Sequence, residues 1–198
     1  MTTSRLEAFS DGVLAIIITI MVLELRIPHG TDMDAVRPLL PVFLAYVLSF
    51  VNLGIYWNNH HHMLSTHDRV DGRILWANLH LLFWLSLFPF ATGWMGENDF
   101  ASLPVAAYGT VSLLAALAYF VLQTTIIRAQ GKGSRLAAAV GSDVKGKISP
   151  LLYMGGIVLA YPARWLSLAL YVIVALMWLV PDRRIESAQG RDRITAES

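Results

Sequence analysis

Apolar residues run through this chain in long, nearly unbroken stretches rather than in the short alternations of a water-soluble core. The stretches lie near Phe9–Leu25, Leu39–Trp57, Ile74–Met95, Leu103–Ile127, Ile148–Ala163 and Trp165–Val180. A bilayer core accommodates roughly 17–25 residues of helix, so the pattern predicts an all-α integral membrane protein of six transmembrane helices. With their flanking turns the spans cover 5–26, 38–63, 73–95, 103–128, 147–163 and 165–181. The last two are short, and only Tyr161, Pro162, Ala163 and Arg164 remain to turn between them. They read as tight full spans or as a re-entrant hairpin, with full spans the favoured reading. Residues 1–181 are then one transmembrane domain and 182–198 a polar cytoplasmic tail, with a Gly-, Lys-, Arg- and Ala-rich linker from Arg128 to Lys147 dividing four helices from two. No internal duplication marks a transporter built of inverted repeats.

Composition points the same way. The chain is 56% apolar and 15% charged, with a mean hydropathy of +0.54, whereas soluble domains run at about 45–50% and about 25%. Lipid is the solvent that removes the excess. The absence of cysteine excludes disulfides, thiolate metal sites and a cysteine nucleophile. A net charge of +1 gives no signature for nucleic acid. Where the charges fall is more informative than their sum. With the amino terminus inside, Arg5, Arg69, Arg73, Arg128, Lys132, Arg135, Lys145, Lys147, Arg183, Arg184, Arg191 and Arg193 are cytoplasmic, and only Arg26, Arg37 and Arg164 lie outside. By the positive-inside rule this fixes the orientation and an even number of crossings. A multi-pass protein of the cell membrane with both termini in the cytoplasm is expected. Glu7 and Asp11 at the start of the first apolar run, with no small-residue cleavage pattern after it, argue against a cleaved signal peptide.

Along the first helix Phe9, Val13, Ile16, Ile20, Leu23 and Ile27 recur at intervals of three and four and share one face, with Thr19 beside them. Such a stripe serves as a packing or lipid-facing surface or as the wall of a pore. The polar start of the helix, Arg5, Ser10 and Asp11, needs protein partners or water at membrane depth. Arg5 and Asp11 are six residues apart, about 120° out of alignment, so each needs a partner on another helix. The second span ends on the same side with Trp57, Asn58, Asn59, His60, His61 and His62, and the third begins there with Trp76, Asn78 and His80. A belt of hydrogen bonds joining the first three spans follows; the alternative is ordinary interfacial Trp and His at span ends. Adjacent histidines point about 100° apart on a helix and do not converge on one ion, so no metal site is expected, although histidine titrates near neutrality.

Residues Arg5-Leu6-Glu7-Ala8-Phe9-Ser10-Asp11, followed by Gly12-Val13-Leu14-Ala15-Ile16-Ile17-Ile18-Thr19, resemble the Arg-x-x-x-Phe-Ser-Asp signature and adjoining helix of the transmembrane protein 175 potassium channels. The Trp57-Asn58-Asn59-His60-His61 ending and Phe88-Pro89-Phe90 are similar to the prokaryotic members of that family. The resemblance implies a homotetramer of six-helix subunits in which the first helix of each lines a central potassium-permeable pore. It places the constriction on Ile16, further apolar layers on Ile20 and Leu23, and a hydroxyl position on Thr19. Arg5, Phe9, Ser10 and Asp11 carry over as structural residues that hold the pore helices in register. Gly12 follows the aspartate where alanine is common, which loosens that turn by about 0.5–1 kcal/mol.

No Thr-Val-Gly-Tyr-Gly loop occurs, so a carbonyl cage is not the route to selectivity. The expected partners are the bilayer, further copies of the chain and monovalent cations, with potassium the permeant ion and no cofactor. The competing reading is a proton-coupled or other secondary transporter in which Asp11 and the histidines relay protons. No Gly-x-Ser-x-Gly elbow, His-Glu-x-x-His helix or phosphate loop is present, so no enzyme is expected.

Overall fold

The computed structural model describes residues 2–65, 70–131, 134–141 and 143–179. The chain is all-α: α1 (Thr3–Leu23), α2 (Met33–Val36), α3 (Leu40–Leu64), α4 (Gly72–Ser86), α5 (Phe88–Glu97), α6 (Ser102–Gln130), α7 (Arg135–Val140), α8 (Val144–Leu159) and α9 (Arg164–Leu179), with a 3₁₀ turn over Arg37–Leu39. Among the described residues four helical segments are long and apolar enough to cross a membrane: Thr3–Leu23, Met33–Leu64, Gly72–Glu97 and Ser102–Gln130. Helices α8 and α9 have 16 residues each, about 24 Å at 1.5 Å per residue, against a hydrocarbon core of about 30 Å.

Local chemistry sets the boundaries. Asp71 caps α4 by accepting from the Ile74 amide at 2.9 Å, and Ser134 caps α7 through the Ala137 amide at 3.2 Å. Each satisfies a first-turn N–H that has no helical acceptor. Gly131, at φ 89°, ends α6 in a conformation that disfavours side chains with a Cβ. The third apolar stretch, continuous in sequence, is two helices. It breaks at Leu87, where Pro89 follows in the first turn of α5 and has no N–H for a carbonyl of the preceding turn. The linker expected from Arg128 to Lys147 is shorter than its composition suggested. Helix α6 continues through Gln130, α7 forms within the linker, and α8 begins at Val144 under an Asp143 cap. Arg69, Lys132 and the polar tail from 182 lie outside the described residues.

Helix α6 is the centre of the bundle, packed against α4, α5, α8 and α9, while α1 lies to one side against α3, α4 and α5. Close approach is made possible by glycine. A Cβ on Gly96 would lie 2.7 Å from the Val42 Cα, and one on Gly109 would lie 1.9 Å from the Tyr171 hydroxyl, which donates to the Val105 carbonyl at 3.3 Å. The outer surface is apolar, with Phe43, Phe50, Phe83, Phe90, Leu151 and Val158 all exposed, an arrangement that suits a lipid surround.

Candidate functional site

Helix α1 has two faces of different use. Leu6, Ser10, Leu14, Ile17 and Met21 are buried against the bundle. On the other side Phe9, Ile16, Ile20 and Leu23 are exposed in the single chain, Ile16 by 60% and Leu23 by 81%. Thr19 is exposed as well, and its hydroxyl donates to the Ile16 carbonyl at 2.9 Å. That bond reaches three residues back along the helix. It satisfies the hydroxyl within the helix.

The amino-terminal third of α1 is tied to α3 and α4 by polar bonds. His60 Nε2 donates to Asn78 Oδ1 at 2.6 Å, Asn78 Nδ2 donates to Ser10 Oγ at 2.9 Å, and Ser10 Oγ donates to the Leu6 carbonyl at 2.8 Å. All three side chains are buried, His60 to 1% exposure. Because His60 donates from Nε2, its Nδ1 is an acceptor, and it has no partner among the described residues. Outside this buried chain Trp57 Nε1 donates to Asp11 Oδ1 at 3.0 Å, and His61 Nδ1 pairs with Glu7 Oε1. Glu7 is a member that sequence reasoning missed. Its signal was available, since it stands one helical turn before Asp11 and carries the same kind of group.

Other expected members lie elsewhere. Asn59 turns away from α1, donating from Nδ2 to the Ile55 carbonyl at 2.9 Å, while its own carbonyl accepts from the Tyr119 hydroxyl at 3.5 Å. The ring of His80 accepts from Trp84 Nε1 on its own helix at 2.9 Å. Arg5 is exposed and has no polar partner among the described residues. The three histidines do not converge: His61 and His62 meet edge to face at 5.6 Å.

A second buried polar group was not foreseen. Ser49 on α3 shares a 2.6 Å bond with Thr92 on α5, and the Tyr108 hydroxyl on α6 accepts from Ser49 Oγ at 3.2 Å and Asn52 Nδ2 at 3.1 Å. Thr92 also reaches Met21 Sδ on α1 at 3.9 Å. Ser49 and Asn52, three apart in an otherwise apolar span, were the available signal. Beyond the end of α1, Arg26 bonds Glu97 at 2.6 Å.

The chain arranged in this way is similar to known channels. A family profile described as endosomal/lysosomal potassium channel TMEM175 matches residues 5–89. A potassium channel of Chryseobacterium sp. (strain P1-3) is 54% identical over 188 residues, covering 95% of this chain and 98% of that protein. A potassium channel of Streptomyces collinus is 32% identical over 187 residues, covering 89% and 91% respectively. The crystal structure of a lysosomal potassium-selective channel TMEM175 homologue from Chamaesiphon minutus superposes with a TM-score of 0.80 at 27% identity, covering 91% of this chain and 97% of that one.

Proposed function

The chain belongs to the TMEM175 family, and from that premise we propose how it works as a potassium channel. It is a multi-pass membrane protein that conducts potassium passively. In our reading four copies assemble with α1 of each around a central axis, and Ile16, Ile20 and Leu23 form successive apolar rings with Thr19 between them. The six-span subunit, with α8 and α9 as short full crossings and both termini in the cytoplasm of a cell-membrane protein, completes the proposal.

One observation carries the pore reading. The α1 face bearing Ile16, Ile20 and Leu23 is exposed among the described residues, while the opposite face is fixed by packing and by the Ser10 and Asp11 bonds. A helix so held presents one defined surface to its neighbours. In an apolar ring the ion sheds part of its hydration without replacement ligands, and potassium gives up water more readily than sodium. Such a ring also closes by dewetting. Asp11, His60 and His61 are each bonded to a neighbouring side chain, a use that suits assembly better than proton relay.

Reconstitution of the purified protein in liposomes tests this reading. Unitary current steps that need no coupled gradient, with a reversal potential set mainly by potassium in mixed potassium and sodium, are expected. Saturating exchange without unitary steps would instead identify a carrier.

A further inference from the structure

Away from α1 a partly open cavity of about 50 Å³ lies between α3, α6, α8 and α9. A water needs about 10–15 Å³ on this measure, so the space holds about three or four waters or a group of a few heavy atoms. Its walls are aromatic: Tyr56, Tyr119, Tyr153 and Trp178 line it. The Tyr119 ring stands edge-on to Tyr56 at 6.1 Å and to Trp178 at 6.5 Å.

The polar groups around these rings include several acceptors that are not fully used. Gln123 is 7% exposed, lines the cavity and has no hydrogen-bond partner among the described residues. Asn52 and Asn59 each use one Nδ2 N–H, on the Tyr108 hydroxyl and on the Ile55 carbonyl, and each amide oxygen remains as an acceptor beside the second N–H. Asp143 uses Oδ1 to cap the Gly146 amide at 3.1 Å and retains Oδ2. Pro150 lies inside α8 and has no N–H for the carbonyl of Gly146 four residues earlier, and Gly146 lines the same cavity. The Ser149 hydroxyl donates to the Lys145 carbonyl and accepts from Trp178 Nε1, which uses its only proton.

Aromatic faces attract cations whose charge lies on or beside carbon, and most strongly when water is excluded. Spare carbonyl oxygens and one carboxylate complement a group that carries several N–H donors. No cationic side chain lines the cavity to receive an anion beside Asp143, and no group of three or more His, Cys, Asp or Glu that could hold a metal ion occurs among the described residues. We propose that this cavity binds a small alkylammonium group, with its N–H donors toward Asp143 and Gln123 and its carbons against Tyr119, Tyr153 and Trp178. The group is either a soluble amine or the amine of a lipid headgroup. None of the lining residues is on α1, so the site stands independently of the pore.

Titration of the full-length protein with ethylammonium in nanodiscs of phosphatidylglycerol, followed by tryptophan fluorescence, tests the proposal. Saturable quenching that disappears in Trp178→Phe is expected. Asp143→Asn keeps an acceptor for the Gly146 amide and removes the charge, and should weaken binding about tenfold, equivalent to about 1.4 kcal/mol. Gln123→Leu should also weaken it, by a smaller factor. Loss of the ethylammonium response in phosphatidylethanolamine discs identifies the lipid amine as occupant, and its persistence there identifies a soluble amine. The proposal fails if phosphatidylglycerol discs show no saturable response, if ethanol or potassium chloride gives the same response, or if Asp143→Asn and Gln123→Leu both bind unchanged.

Discussion

Asn78 Nδ2 on α4 donates to Ser10 Oγ on α1 at 2.9 Å, with both side chains buried. This bond fixes α1 about its own axis, and with it the direction in which the exposed face points. Ser10→Ala leaves the Asn78 amide without its acceptor, at a cost of about 1–3 kcal/mol. The melting temperature of the detergent-solubilised protein should fall. Asn78→Ala should fall further because it also strands His60, and the double variant should be less damaging than the sum of the two. Additive losses would show that the two residues act separately.

Ile16→Asn puts an amide into the proposed constriction. Conductance should rise and discrimination between potassium and sodium should weaken, read from unitary currents and reversal potentials. Unchanged current and selectivity in an intact assembly would remove Ile16 from the filter.

Asp11→Ala leaves Trp57 Nε1 without its acceptor. Light scattering of the solubilised complex should show a lower assembly mass or faster dissociation, with ion preference little altered in the channels that remain. A shift in preference with normal mass would reassign Asp11 to the ion path.

Two glycines should respond in opposite senses. Gly96→Ala drives a Cβ to 2.7 Å from the backbone of Val42, and overpacking of this kind destabilises by about 1–3 kcal/mol. At Gly12 a Cβ meets nothing within 4 Å, so Gly12→Ala should stabilise α1 by about 0.5–1 kcal/mol. Thermal unfolding compares the two. Loss of assembly in Gly12→Ala, with a stable subunit, would mean that a neighbouring copy packs against that position.

Much of the arrangement was legible because membranes make polar residues conspicuous. Asp11 and Ser10 within an apolar helix demanded partners, and Trp57 and Asn78 were the polar groups at matching depth. The pairings themselves were less legible. His80 satisfies Trp84 one turn away, and spacing alone does not tell a local bond from one between helices. The break at Leu87 was hidden because hydropathy runs straight across it, although Pro89 was in view. Helices α2 and α7, of four and six residues, are too short for periodicity to register. The cavity was beyond reach, since Gln123, Asp143 and Tyr153 meet only when α6, α8 and α9 pack.

The two ends of α1 are held unequally. The tightest buried polar bonds grip it at Ser10, whereas toward the far end it has the buried Met21 against Thr92 and, beyond the helix, an ion pair whose side chains are 72% and 48% exposed, a kind worth about 0–1 kcal/mol and weakened by salt. The helix is thus a lever with its fulcrum at Ser10. At 1.5 Å per residue, Ile16 lies about 9 Å and Leu23 about 20 Å along the arm. A small swing of the helix displaces Leu23 about twice as far as Ile16, so in the proposed tetramer the aperture would taper as it tilts.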